Sequence, residues 1–394
     1  MDVIENGMRM SEQGADTAWL SPAVAERVMA FHRQVPDYGQ TELVHLPELA
    51  AECGVAELLV KDESSRFGLN AFKGLGGIYA VAHAAGGRLR LRPEQITVPE
   101  LQKPEYRDRL RQLTFATATD GNHGKGVAWA AGLLGCPAKV FMPKGSSPRR
   151  AQAIRDAGQA EVTITQWNYD DTVNYVNKCA EKEGWVLVQD TSWPGYEQVP
   201  KWIMQGYTTM AQEAAEQLGG AAPTHILLQT GVGAMAGAVA GYFRARYGAD
   251  CPTIILVEPY GAACIYESME AGDGQPHTAR GNGETIMAGL NCGSPCTVAW
   301  DILRDYGSFA LRCGDDAAKC GMRALKKYGV VSGESGASAI GAFLELARMP
   351  EQKAQLGIGS DSRILFFSTE GNTDPVSYAE ITADVEREKA SKKG

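Results

Sequence analysis

Apolar runs of strand length alternate along the chain with small-residue or amphipathic stretches of helical period. LLVKD (58–62) precedes a helical stretch over 71–85, LTFATAT (113–119) one over 123–135, AKVFMP (138–143) one over 148–158, and EVTITQ (161–166) one over 170–184. The rhythm resumes with WVLVQD (185–190), HILLQT (225–230), TIILVEP (253–259) and RILFFST (363–369). Strands this apolar and β-branched, each followed by a helix, predict an α/β fold with mostly parallel, twisted sheets flanked by helices. In such sheets ligands sit where strand carboxyl ends meet the loops that open the helices, so chemistry is expected there.

One stretch challenges this pattern. Residues 219–243 contain no Asp, Glu, Lys or Arg and are long enough to span a bilayer core of ~30 Å. Pro223, His225, Gln229, Thr230 and several glycines interrupt it, so strand, glycine turn and small-residue helix is the expectation. The net charge of −9 argues against a polyanion such as nucleic acid, and places the arginines of 88–92 and 107–111 on solvated faces. With 394 residues, two domains are expected on the rule of ~150 residues each. The first residues carry Asp2, Glu5, Glu12 and Asp16 where a secretion signal needs a basic start and an apolar run, which points to the cytoplasm. Nine scattered cysteines without a CxxC pair indicate neither a secreted disulfide framework nor a zinc ribbon, although a pair between Cys264 and Cys292 or Cys296 stays open. The six histidines form no metal-ligand spacing, and no metal is expected. The mixed-charge end, DVEREKASKKG, reads as a frayed helix or disordered tail.

Four loops carry candidate chemistry. After HILLQT comes GVGAMAG, in which glycines admit backbone N–H groups to an anion and the following helix adds unpaired donors and its positive dipole end. Gly231, Gly233 and Ala236 also satisfy the GxGxxG/A spacing of dinucleotide folds, with Glu258 at the end of the next strand standing where such a fold keeps its ribose acid. On this loop alone a nicotinamide oxidoreductase remains open. The second loop, NAFKGLGG (70–77), places Lys73 between Phe72 and three glycines; the third, within ATATDGNHGKG, gathers Thr119, Asp120, Asn122 and His123; the fourth, STEGNTD, ends a strand with Ser368, Thr369 and Glu370.

Taken in their order along the chain, over roughly residues 55–375, the four loops resemble the fold type II (tryptophan synthase β-like) pyridoxal-phosphate enzymes, a family that includes threonine dehydratase and serine racemase. The resemblance implies pyridoxal 5′-phosphate as cofactor and two domains, with a small one (86–194) inserted into a discontinuous large one (1–85 and 195–394). By motif, Lys73 is implied as the Schiff-base lysine with Phe72 near the ring, and Asn122 as the contact to the 3′-oxygen. Gly231, Val232, Gly233, Ala234 and Met235 are implied as the phosphate cradle, and Thr369, with Ser368 beside it, as the partner of the ring nitrogen. SGESGASA (332–339) resembles a further element near the ring.

The departures narrow the resemblance. Asp120 replaces the usual Ser of SxGNHG, and STEGNTD replaces SGGN; with TIMAGLNCG (285–293) and QDTSWPGY (189–196) these variants are similar to the diaminopropionate ammonia-lyases. That likeness implies α,β-elimination of D- and L-2,3-diaminopropionate to pyruvate and two ammonia molecules by a homodimer acting on a small amino acid. A lysine serves as base on one face of the cofactor; a carboxylate at 120, on the opposite face in the family, is a candidate base for the D isomer. Asp190 is a candidate seat for the β-ammonium. Rival expectations are serine/threonine dehydration on the same scaffold, the oxidoreductase, which leaves Lys73 and the GNHG loop unexplained, and a non-catalytic amino-acid-binding module.

Overall fold

The computed structural model describes residues 1–10 and 14–391. Among the described residues eleven strands form two sheets. They are β1 (Asp2–Glu5), β2 (Leu43–His45), β3 (Glu57–Asp62), β4 (Phe115–Ala118), β5 (Ala138–Met142), β6 (Glu161–Ile164), β7 (Val186–Leu187), β8 (His225–Gln229), β9 (Thr253–Pro259), β10 (Phe309–Cys313) and β11 (Arg363–Ser368).

One sheet has seven strands in the order β1-β10-β9-β8-β11-β3-β2, and the other four in the order β6-β5-β4-β7. The small sheet is parallel throughout. The large one is parallel except for its two edges, β1 and β2, which run antiparallel. Central strands β8, β9 and β11 are buried almost end to end. Strands covered by helices on both faces need this continuous apolar character, which is why they stand out in the sequence. The short edges β1 and β2, and β10 beside β1, lack it and are not marked by the hydrophobic pattern.

All four strands of the small sheet come from the chain between β3 and β8. The helix Lys73–Leu89, which follows β3, lies between the two layers. A side chain at Gly77 would come within 2.9 Å of Gly126 backbone in the helix Asn122–Leu133, and one at Gly76 within 2.6 Å of the Tyr207 ring in the helix Gln198–Gln217. Backbones in contact at these points bring Lys73 to the loop after β4. The charge-free stretch resolves into β8, a glycine turn and the helix Ala234–Tyr247; among the described residues no helix is long and apolar enough to cross a membrane. The charged C-terminal segment continues the helix Pro375–Ser391, with Thr382 and Val385 buried against the body; residues 392–394 lie outside the described residues.

Candidate active site

Lys73, Phe72, Asp120, Asn122, Asp190, the run Gly231–Met235 and Thr369 line one cleft at the carboxyl ends of the strands, whereas Ser368 does not and donates to Ser332 Oγ at 2.8 Å. The cleft encloses about 900 Å³ including its open mouth.

Lys73 opens its helix, and its Nζ lies 2.5 Å from Asp190 Oδ2, beside the Phe72 ring (5.3 Å) and the Tyr207 ring (5.8 Å). Burial lowers the pKa of this amine, but Asp190 more than compensates and raises it, so Lys73 stands as an ammonium. Burial likewise opposes the charge on Asp190, yet the Lys73 ammonium on its Oδ2 holds the carboxyl below the ordinary carboxylate range; a charge on His123 would add to this, but burial keeps that ring neutral. Asp190 does not end a strand as expected. β7 stops at Leu187, and the Gln189 side chain takes over the ladder, accepting from Ala118 N at 3.0 Å and from Thr117 Oγ1 at 3.1 Å. The chain freed by this exchange turns Asp190 toward Lys73.

The loop after β4 is held by Thr119, whose Oγ1 accepts from Gly121 N (2.9 Å) and Gly124 N (3.0 Å). The carboxylate of Asp120 makes no hydrogen bond among the described residues. Burial by surrounding protein pushes its pKa up to about 7, opposed by the Arg150 guanidinium and reinforced by Asp190 and Asp170. Asn122 donates from Nδ2 to Glu370 Oε2 at 2.5 Å, while Glu370 Oε1 accepts from Ser335 N at 3.0 Å. A carboxylate thus holds the amide of Asn122 in one orientation and ties the loop after β4 to the loop after β11.

At the opposite wall the turn after β8 enters its helix through Gly233, at φ +96°, a conformation open to glycine and strained for other residues. The first backbone N–H groups of the helix Ala234–Tyr247 therefore face the cleft. Thr369 Oγ1 accepts from Gln229 Nε2 at 2.9 Å, which leaves its own proton to donate inward. An amine, an anion cradle at a helix start and a hydroxyl on facing walls match the aldehyde, phosphate and ring nitrogen of pyridoxal phosphate, so the residues present fit that group.

Two open expectations are settled differently. Glu258 is buried, and its two carboxylate oxygens accept from Ile265 N (2.9 Å) and Tyr266 N (2.6 Å), capping a helix. It cannot hold a ribose, and the dinucleotide reading of the GVGAMAG loop falls with it. All nine cysteines are free thiols, Cys264, Cys292 and Cys296 buried among them, so the open pairing is not made. The structure also adds residues to which the sequence gave no role, Glu370, Arg150, Tyr169, Gln229 and Cys292, and brings Ser335 of the SGESGASA element to the same cleft. A signal existed for Glu370, a charge in place of glycine in STEGN, and for Gln229, a polar side chain ending an apolar strand. Arg150 lies on a helix of ordinary surface composition and carries none.

Comparison with known proteins accords with this geometry. The family model for pyridoxal-phosphate dependent enzymes matches residues 35–370. The chain is 46% identical over 380 residues to the diaminopropionate ammonia-lyase of Salmonella typhimurium, covering 93% of this chain and 94% of that one. It is 44% identical over 378 residues to the Escherichia coli enzyme of the same name, covering 93% of each. A crystal structure of the Escherichia coli diaminopropionate ammonia-lyase in complex with D-serine superposes with a TM-score of 0.90 at 42% identity, covering 97% of both chains. The chain belongs to the pyridoxal-phosphate dependent enzymes of fold type II, alongside the diaminopropionate ammonia-lyases.

Proposed function

We propose that the protein removes both amino groups of D- and L-2,3-diaminopropionate, releasing pyruvate and two ammonia molecules. The observation that carries this reading is the Lys73–Asp190 pair: an ammonium already sits on a buried carboxylate inside the cleft, at 2.5 Å. A substrate bearing a β-ammonium can take the same seat, whereas the hydroxyl of serine would leave that carboxylate poorly paired, a mismatch that is costly in a buried site.

Pyridoxal phosphate, when bound, supplies an electron sink for the charge left on the α-carbon after proton removal. The chain supplies the rest. Lys73 provides the reacting amine and the base for one enantiomer. Asp120, reaching the cleft from the small sheet and unpartnered, takes the α-proton of the other; a carboxyl near pH 7 is well matched to that task. Asp190 holds the β-ammonium so that the C–N bond breaks with both electrons passing to nitrogen, which leaves as neutral ammonia. Phe72, Asn122, Thr369 and the run Gly231–Met235 position the cofactor.

The same reading assigns residues 1–85 and 195–394 to a cofactor-holding body and 86–194 to a smaller one, a division supported by the two sheets. It also makes the protein a homodimer, expected at twice the chain mass in solution. The nine unpaired thiols suit a reducing cytoplasm. The test is an assay of ammonia and pyruvate with D- and L-diaminopropionate, serine and threonine. Both products from both isomers of diaminopropionate are expected; release from serine or threonine alone would keep the fold and replace the substrate.

A further inference from the structure

His123 is the second residue of the helix Asn122–Leu133, is 4% exposed, and lines the cleft. Its Nε2 lies 2.8 Å from the Val188 carbonyl oxygen, which can only accept, so Nε2 carries the proton and Nδ1 of the neutral ring is a bare lone pair. Among the described residues Nδ1 is buried without a hydrogen-bond partner, and it lies 3.7 Å from Asp190 Oδ2, the oxygen that holds the Lys73 ammonium. A buried base without a partner is uncommon, and here it faces a carboxylate with a proton donor on its far side. The row Lys73–Asp190–His123 is therefore one proton short of being filled.

We propose that His123 is a positioning residue that receives, through Asp190, the proton Lys73 must lose to act as nucleophile or base. The Nζ–H bond breaks with its electron pair left on Lys73 nitrogen, the proton passes to Asp190 Oδ2, and that oxygen releases it to Nδ1 of His123. Before the transfer the row holds ammonium, carboxylate and neutral imidazole; afterwards it holds neutral amine, carboxylate and imidazolium. The total charge is unchanged, and no charge leaves the buried cleft. The same route drains the proton that Lys73 takes from the α-carbon of a substrate. The surrounding groups leave it undisturbed. Tyr207 on the helix Gln198–Gln217, Tyr169 on the helix Tyr169–Glu183, and Cys292 and Cys296 on the segment before the helix Thr297–Tyr306 all have pKa values raised, chiefly by burial, and stay neutral. Among the described residues the other acids facing this region are Asp120 and, beyond it, Asp170. Burial and Lys73 hold the imidazole below its ordinary pKa against the pull of Asp190, so the proton is lent and returned.

This inference rests on Lys73 as the reacting amine, and its test separates from that reading. Cofactor-free protein is mixed with pyridoxal phosphate, and the growth of visible absorbance is followed against pH for wild type and His123→Gln, whose amide can still donate to Val188 but cannot accept the proton. The variant should load about tenfold or more slowly at pH 7, and its deficit should shrink as pH rises, because hydroxide then takes the Lys73 proton in place of the imidazole. Loading equal to wild type at every pH, or slowed by one factor at every pH, would overturn the proposal; the second is what a purely structural histidine predicts. Imidazole nitrogen-15 spectra of the unloaded wild type give a second readout that needs no variant. A bare Nδ1 beside a protonated Nε2 is expected, and a proton found on Nδ1 alone overturns the relay. Failure of the wild type to release ammonia from diaminopropionate would instead remove the substrate reading and leave both measurements standing.

Discussion

Two charge clusters lie a dozen residues apart on either side of the turn that carries β3 into the helix Lys73–Leu89, and they are finished to different degrees. In the first, Lys61, Glu63, Arg66 and Glu213 are buried and balanced, two cations against two anions. Arg66 donates to both Glu213 oxygens (3.0 and 2.8 Å) and both Glu63 oxygens (2.8 Å each), and Lys61 Nζ lies 2.7 Å from Glu213 Oε2. Behind it His32 is complete as well: Nε2 donates to the Leu75 carbonyl at 2.9 Å, and Nδ1 meets Thr209 Oγ1 at 2.7 Å. Its pKa is pushed down to about 3 by burial. In the second cluster the same residue types are left incomplete. Among the described residues Asp120 lacks a hydrogen bond, His123 uses one ring nitrogen, and Lys73 makes one hydrogen bond, to Asp190. A saturated cluster has no valence left for a ligand and serves architecture, holding the helix Gln198–Gln217 against the strand end that precedes Lys73. The unsaturated one keeps donors and acceptors for molecules that come and go.

The contrast can be broken by substitution, and the largest effect is expected at Lys73. Lys73→Ala should abolish ammonia release from both isomers and the visible absorbance of the loaded protein while the circular dichroism spectrum persists. Residual turnover with the band intact would remove Lys73 as the reacting amine. Next, Asp120→Asn should lower kcat for D-diaminopropionate by about 10²–10⁴-fold, the usual worth of a general base, and for the L isomer far less. Equal losses would remove its preference for one face.

Arg66→Met tests the other cluster. It strands buried carboxylates, and loss of one partner from such a network costs about 3–5 kcal/mol, to be read from urea unfolding. Activity per folded molecule should change little, whereas stability unchanged with activity lost would reverse the roles assigned to the two clusters.

The smallest effect sharpens the comparison. D-isomer turnover should rise with pH through about 7, because Asp120 acts only after losing its proton. Arg150 favours the ionised form, so Arg150→Gln should move that rise to higher pH and leave the plateau nearly intact. A rise that stays in place would show that the guanidinium does not act on Asp120.

Legibility followed the same divide. Buried parallel strands announced themselves as apolar runs, because burial on both faces leaves no place for polar alternation, whereas β1, β2 and β10 did not. Lys73, Asp120, Asn122 and the GVGAMAG loop were readable because each lies in a local glycine-rich turn at a strand end, where conformation and chemistry are set by neighbours in sequence. Glu258 misled for the same reason: its spacing from Gly231 matched a dinucleotide acid, and only the fold shows that Ile265 and Tyr266 occupy both of its oxygens.

The amino-acid order by itself determined the α/β alternation, the loops that line the cleft and the family to which the chain belongs. Tertiary structure alone decided which polar atoms are satisfied: that Glu370 holds Asn122, that His32 is complete, and that His123 faces Asp190 with an empty nitrogen. The physical reason is that hydrogen bonding and burial are set by groups brought together from distant parts of the chain, and the same histidine is inert or available according to whether such a group reaches its second nitrogen.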